Sequence, residues 1–174
     1  VHAYCQLAVF ILRKYLLGFD SASRFLQNCD KTATGLILKS YGARIGADSE
    51  IETGQTFHNC QDYTHLVIGD NCHIGKNCFF DLRDKIVIES NVVVSMQTSF
   101  ITHMDMEKSD LSAEYPQKQG RIQICNNCYI GARSTILMGV EIGEKSMIAA
   151  GSLVRKDVPA KTLSGGVPAK ILNK

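Results

Sequence analysis

The sequence predicts a parallel β-helix, an all-β solenoid wound on a six-residue repeat, with a helical cap at its amino end. Three observations predict it. Aliphatic residues recur at every sixth position, small residues follow them at a fixed distance, and two interruptions leave the beat intact on either side.

The clearest run is Ile124, Ile130, Ile136, Ile142, Ile148 and Val154. Four places after each of the first five come Cys128, Ser134, Val140, Ser146 and Ser152, all compact, and glycine follows directly at Gly131 and Gly143. Earlier sets repeat the scheme: Ile68, Ile74 and Phe80 with Cys72 and Cys78, then Ile88, Val94 and Phe100 with Val92 and Thr98. Ile45, Ile51 and Phe57 form a weaker first set. A helix asks for apolar residues every three or four positions and a half-buried strand for every second one, so a strict six fits neither. A short strand and a tight turn fit it. Three such units close one coil, and successive coils then pair as parallel strands.

The first interruption is a phase slip. Positions 68, 74 and 80 share one phase, whereas 88, 94 and 100 stand two places later, which puts a two-residue insertion between Phe80 and Ile88. The second is an excursion. The phase of 100 is regained at 124, yet the intervening segment is polar and opens with Thr102-His103. The expected organisation is a cap over 1–44, a repeat over 45–158 with an excursion loop at 101–121, and a short carboxy-terminal extension over 159–174. Both ends need covering because a solenoid otherwise exposes strand edges. The apolar spacing of residues 3–29 is helical, and Val158-Pro159 stops the last strand.

Composition narrows the class. A net charge of +2 with 45% apolar and 21% charged residues is a globular balance and gives no reason to expect a nucleic-acid partner. The run from Leu7 to Leu17 is broken by Arg13 and Lys14 and is too short to cross a bilayer, and no secretory signal order is evident, so the expected location is cytoplasmic. Seven cysteines at 5, 29, 60, 72, 78, 125 and 128 lie mostly in apolar-patterned segments and read as free thiols. Cys125 and Cys128 have CxxC spacing but no second pair to complete a zinc site.

The Ile-Gly-x-x-Cys/Ser-x hexads, the excursion at Thr102-His103 and the ending Ala150-Gly151-Ser152-Leu153-Val154-Arg155-Lys156-Asp157-Val158-Pro159 … Gly166-Val167-Pro168-Ala169-Lys170 resemble the hexapeptide-repeat acyltransferases. The likeness covers residues 45–174 and is greatest to sugar O-acetyltransferases of the galactoside, maltose and surface-polysaccharide kinds. It implies a left-handed parallel β-helix, against the usual right-handed crossover. It further implies acetyl-CoA as co-substrate, no required metal, a carbohydrate acceptor, and a homotrimer whose sites lie between subunits.

Acetyl transfer to a hydroxyl needs a base, an oxyanion donor and alignment of the two reactants. Histidine suits the first. His103 opens the excursion and matches the family's catalytic position, whereas His58, His65 and His73 lack that context. By the resemblance, Ala132 supplies a backbone N–H to the oxyanion, Ala150 a second backbone contact to the cofactor arm, and Lys156 and Lys170 charges near its phosphates. Tyr129 stands where relatives often carry Trp. Asp81 and Asp84, on the slip one coil before His103, are expected to bind the acceptor, since carboxylates accept from sugar hydroxyls and can also orient an imidazole. Direct transfer makes no cysteine a nucleophile.

Alternatives stay open within and beyond this class. The acceptor could be an amino sugar, serine or an antibiotic hydroxyl. A γ-carbonic-anhydrase-like metal site would need a His-x-x-x-x-His pair, and Lys108 stands where the second histidine belongs. A non-catalytic trimeric scaffold would need neither feature.

Overall fold

A computed structural model of the chain describes residues 1–172; the last two residues of the 159–174 extension lie outside the described residues. Its body is a prism of three sheets that the chain visits in turn. The first face holds Arg44–Ile45, Leu66–Ile68, Ile86–Ile88, Ile122–Ile124 and Glu141–Ile142. The second holds Glu50–Ile51, His73–Ile74, Val93–Val94, Tyr129–Ile130, Met147–Ile148 and Leu163–Gly165, and the third Thr56–His58, Phe79–Asp81, Ser99–Ile101, Thr135–Leu137 and Leu153–Val154. All of these pair in parallel with the strands of adjacent coils.

The register measures each coil. Ile124 pairs with Ile142 and Ile130 with Ile148, a step of three hexads, as a triangular coil requires. Ile68 pairs with Ile88, which is three hexads plus the slip. Ile88 pairs with Ile124 and Phe100 with Ile136, a step of six hexads, so the excursion doubles the length of one coil. The first coil is also long, since Ile45 pairs with Ile68 and not with a position three hexads on. Its surplus falls after Phe57, an insertion that the hexad reading did not anticipate.

Sequence explains the corners. Three places after most of the inward aliphatics the backbone is left-handed, and the side chains there are ones that tolerate it, Asn71, Asn77, Asn91 and Asn127 among them, or glycine at Gly139 and Gly151. Glycine directly after the aliphatic has a different cause. A Cβ on Gly131 would stand 2.5 Å from the Ala150 backbone nitrogen, so only glycine lets the next coil approach. Inside, the aliphatics at 124, 130, 136, 142, 148 and 154 are all buried, together with the small partners Cys128, Ser134, Ser146 and Ser152. Each buried aliphatic contributes about 1.5–3 kcal/mol by leaving water.

The cap has three helices, α1 (His2–Leu17), α2 (Phe19–Phe25) and α3 (Lys31–Ser40). Gly18, at φ 84°, separates the first two, and the Asp30 carboxylate caps α3 by accepting from the Ala33 N–H at 2.8 Å. A file of aromatic rings joins cap to prism: Phe19 meets Tyr63 at 5.3 Å, Tyr63 meets Phe57 at 5.0 Å, and Phe57, Phe80 and Phe100 stack at 5.3 and 5.2 Å. Of α1 only Phe10 is fully buried, and Tyr15, Leu16 and Leu17 stay exposed, so its helical apolar spacing meets the core along one narrow edge. At the other end Lys170–Leu172 turns back antiparallel on Leu163–Gly165 and covers that strand edge. No helix among the described residues is long and apolar enough to cross a membrane.

Candidate active site

The corner between the third and first faces gathers every departure from the beat. The insertion leaves after Thr56–His58, the slip after Phe79–Asp81, and the excursion after Ser99–Ile101, three neighbouring strands of one face. Their exits therefore stack, one coil above another.

Asp81 sits at the centre. Its Oδ2 accepts from His103 Nδ1 at 2.5 Å, from the Thr102 N–H at 2.9 Å and from the Thr102 hydroxyl at 3.0 Å, while Oδ1 accepts from Asn59 Nδ2 at 3.0 Å. Burial pushes this carboxyl up, but the hydrogen bonds from His103, Asn59 and Thr102 outweigh it and hold the group below the ordinary aspartate value. It is ionised at neutral pH.

An ionised acceptor on Nδ1 places the imidazole proton there and leaves Nε2 with its lone pair. Asn59 agrees with that assignment. Its amide nitrogen stands 3.4 Å from Nε2 and donates to Asp81, so the same NH₂ group faces two acceptors. The backbone beneath is fixed as well: His103 pairs with Gln119 and Met104 with Lys118 in a short antiparallel ladder at the root of the excursion, and the Thr102 carbonyl accepts from the Gly120 N–H. The result is an imidazole oriented through Nδ1, on a side chain that is 18% exposed.

Beside it lies a cavity of about 720 Å³ between α2 and the first coil, whose lining includes Asp20, Arg24, His58, Asn59 and Arg83. Asn59 belongs to both cavity and imidazole. Sequence reasoning missed Asn59, although Ile68 arrives well after the place that the hexad following Phe57 would give it, and that delay marked the insertion carrying Asn59.

Of the two carboxylates expected to hold the acceptor, Asp81 behaves differently from that expectation. Asp81 is 1% exposed and its oxygens are occupied by protein donors, so it cannot reach a sugar and serves the imidazole instead. Asp84 is half-buried on the slip; its Oδ1 accepts from the Lys85 N–H at 2.6 Å and its own N–H donates to the Thr102 hydroxyl oxygen at 3.1 Å. It braces the turn.

Ala132 and Ala150 lie on another corner, between the second and third faces, one coil apart. The residue after Ala132, Arg133, has φ 59°, and neither alanine N–H donates to a partner among the described residues. Two free amides with small side chains in a column suit an extended, polar arm and a developing oxyanion. Lys170 pairs with Gly165 at the end of the second face and so shares this corner, while Lys156 follows Leu153–Val154 and falls on the His103 corner, two coils further along. Both are exposed. Tyr129 is 39% exposed on the second face. Within one chain, then, the imidazole and the amide column stand at opposite edges of the third face.

Other chemistry is weakly provided. The seven cysteines are free, and burial pushes Cys78 up to about 11 and, with help from Asp20, Asp62 and Asp81, Cys60 up to about 12, which leaves both as neutral thiols. The Cys128 thiol donates to the Gly143 carbonyl at 3.1 Å. Among the described residues one group could gather a cation, Glu50, Glu52 and His73, but the Lys31 ammonium is already paired with Glu52 and stands 3.8 Å from Glu50.

Comparison with known proteins bears on the repeat and the fold. Residues 65–96 and 121–156 match the family model described as the hexapeptide repeat of succinyl-transferase. The chain is 34% identical over 148 residues to the galactoside O-acetyltransferase of Escherichia coli, covering 78% of this chain and 66% of that protein. It is 32% identical over 118 residues to a putative acetyltransferase of Saccharomyces cerevisiae, covering 66% of this chain and 59% of that one. It thus spans less than two thirds of the length of these relatives. A hexapeptide-repeat acetyltransferase of Vibrio cholerae, solved with acetyl coenzyme A, superposes with a TM-score of 0.70 at 28% identity, covering 98% of this chain and 86% of that one.

Proposed function

The chain belongs to the hexapeptide-repeat acyltransferases, and from that premise we propose that it is an O-acetyltransferase moving the acetyl group of acetyl-CoA to a carbohydrate hydroxyl. The observation that carries the proposal is the Asp81–His103–Asn59 arrangement beside an open cavity.

Acetyl-CoA supplies the acyl group as a thioester. His103 Nε2 accepts the proton of the acceptor hydroxyl as that oxygen attacks, and Asp81 steadies the imidazolium so formed. Asn59 yields its long contact to Nε2 and keeps its bond to Asp81. The Ala132 N–H faces the charge that develops on the acyl oxygen, the Ala150 N–H holds the arm, and Lys156 and Lys170 meet the phosphates. His103 then protonates the departing thiolate.

Because the imidazole and the amide column lie on different corners of one chain, the reading needs a second copy. A left-handed coil assembled as a homotrimer, as in the family the sequence resembles, brings the His103 corner of one subunit to the Ala132 corner of the next. Lys156 and Lys170 would then flank one cofactor although one chain holds them apart.

The test is thiol release from acetyl-CoA over a panel of free sugars, sugar acids, nucleotide sugars and serine, with His103→Ala as control. The expected result is turnover with at least one sugar and a loss of about 10²–10⁴-fold in the variant at unchanged oligomeric state. Sugar turnover that survives in His103→Ala refutes the base assignment, and turnover with serine alone refutes the carbohydrate acceptor.

A further inference from the structure

The cavity beside His103 has a charge pattern that the acetyl-transfer reading does not by itself require. Arg24, on α2, and Arg83, on the slip directly after Asp81 and Leu82, both line it. Neither guanidinium has a carboxylate within 4.0 Å among the described residues; Arg24 makes one long contact, from Nε to the Asp20 carbonyl at 3.4 Å, and the Arg83 side chain makes none. Asp20 is the only carboxylate in the lining, and Phe57, its only benzene ring, is 9% exposed.

A site for a neutral sugar is built from carboxylates and amides that accept from hydroxyls, with a ring for the sugar to lie on. This one has a single carboxylate, Asp20, the amides of Gln27, Asn59 and Gln61 and no exposed benzene ring, and it adds two planar, permanently charged donors. Guanidinium groups with free terminal nitrogens match carboxylate and phosphate oxygens in paired hydrogen bonds. Their origin is also telling. One comes from the cap and the other from the slip, so the two irregular parts of the chain converge here with like charges that gain nothing by mutual approach.

We propose that the acceptor is an anionic carbohydrate, bearing a carboxylate or phosphate that Arg24 and Arg83 bind while its hydroxyl is presented past Asn59 to His103. The proposal rests on the acetyl-transfer reading above. A volume of about 720 Å³ admits a sugar with its charged substituent.

The experiment compares kcat/KM for glucose with glucuronate, galactose with galacturonate, and glucose with glucose 1-phosphate, in the wild-type chain and in Arg24→Gln and Arg83→Gln. The expected result is a preference of about tenfold or more for the charged partner of at least one pair, one charge-assisted contact being enough for that. The ratio falls toward one in each variant, through KM, and shrinks as salt rises. Whichever pair shows the larger ratio identifies carboxylate or phosphate as the source. Equal use of neutral and charged sugars, or a ratio indifferent to both substitutions, overturns the proposal while leaving acetyl transfer standing. Thiol release with no member of any pair and with no sugar of the wider panel overturns both.

Discussion

Asp81→Asn is the substitution that most sharply separates an oriented base from a histidine that happens to sit in a loop. It preserves shape and removes charge. Oδ2 of Asp81 receives three donors and Oδ1 receives the Asn59 amide, so wherever the new NH₂ group is placed it meets another donor. On the Oδ2 side it opposes the Thr102 N–H and His103 Nδ1. On the Oδ1 side it opposes Asn59 Nδ2, which relaxes by flipping, and the flipped Asn59 then turns its carbonyl toward Nε2 and favours a proton on the very nitrogen that must be bare. Either outcome forfeits the hydrogen bond to an ionised partner, about 1.5–3 kcal/mol, which is about 10- to 150-fold in rate. One buried donor left without an acceptor costs about 1–3 kcal/mol of stability besides. The assay is thiol release at saturating acetyl-CoA together with urea unfolding of the same samples. We expect kcat to fall by about 10²-fold, KM for acetyl-CoA to hold within about twofold, and the unfolding midpoint to drop. A folded Asp81→Asn variant within about threefold of wild-type kcat would refute the claim that Asp81 orients His103.

Three further outcomes are expected. Ala132→Pro deletes a backbone N–H that has no partner among the described residues, at a turn position before the left-handed Arg133 where proline is favoured; turnover should fall by about 10²–10³-fold while the melting temperature stays within a few degrees, and unchanged turnover would remove Ala132 from the mechanism. Asp81 is held below its unfolded value, so its stabilisation is present above about pH 4 and is lost as pH falls through the native value; the gap in unfolding free energy between wild type and Asp81→Asn should therefore close on acidification, and a gap that widens would contradict it. Cys60 lines the cavity but is pushed up to about 12, so mass spectrometry after a short treatment with an alkylating reagent at pH 7 should find it unmodified in the native chain and modified in urea.

The prism was legible because its cause is local and repeated. Ile124 to Val154 announce the inward positions, and the structure buries each of them. The slip before Ile88 was readable as arithmetic and reappears in the register as the lengthened step from Ile68 to Ile88. His103 could be located by its place in an irregularity and by family likeness. What sequence could not supply was the partner set. Asp81 and Thr102 carry no sign that they will share hydrogen bonds, because that depends on two strand ends leaving one corner a coil apart. Asp81 looked like a sugar ligand because carboxylates serve both purposes, and only its burial decides between them. Asn59 escaped because the first hexad set is weak, and with it went the cavity, whose walls come from α2 and from successive coils. The exposure of Tyr15, Leu16 and Leu17 on α1 likewise could not be read from apolar spacing, which says which face is greasy but not how much of it is met.

The pairing of Ile88 with Ile124, six hexads on, means that the excursion is as long as a full turn of the prism. The strand register past it is therefore independent of its presence: cut out, it would leave strands that still meet the same neighbours, and exchanged for another segment returning to the same spot, it would leave Ile122–Ile124 where it stands. The length of the excursion is thus set apart from the register of the coils, while Asp81 on a prism strand still anchors the imidazole. A chain built this way can be re-equipped at its working end by splicing, with no renegotiation between coils and no second folding problem to solve.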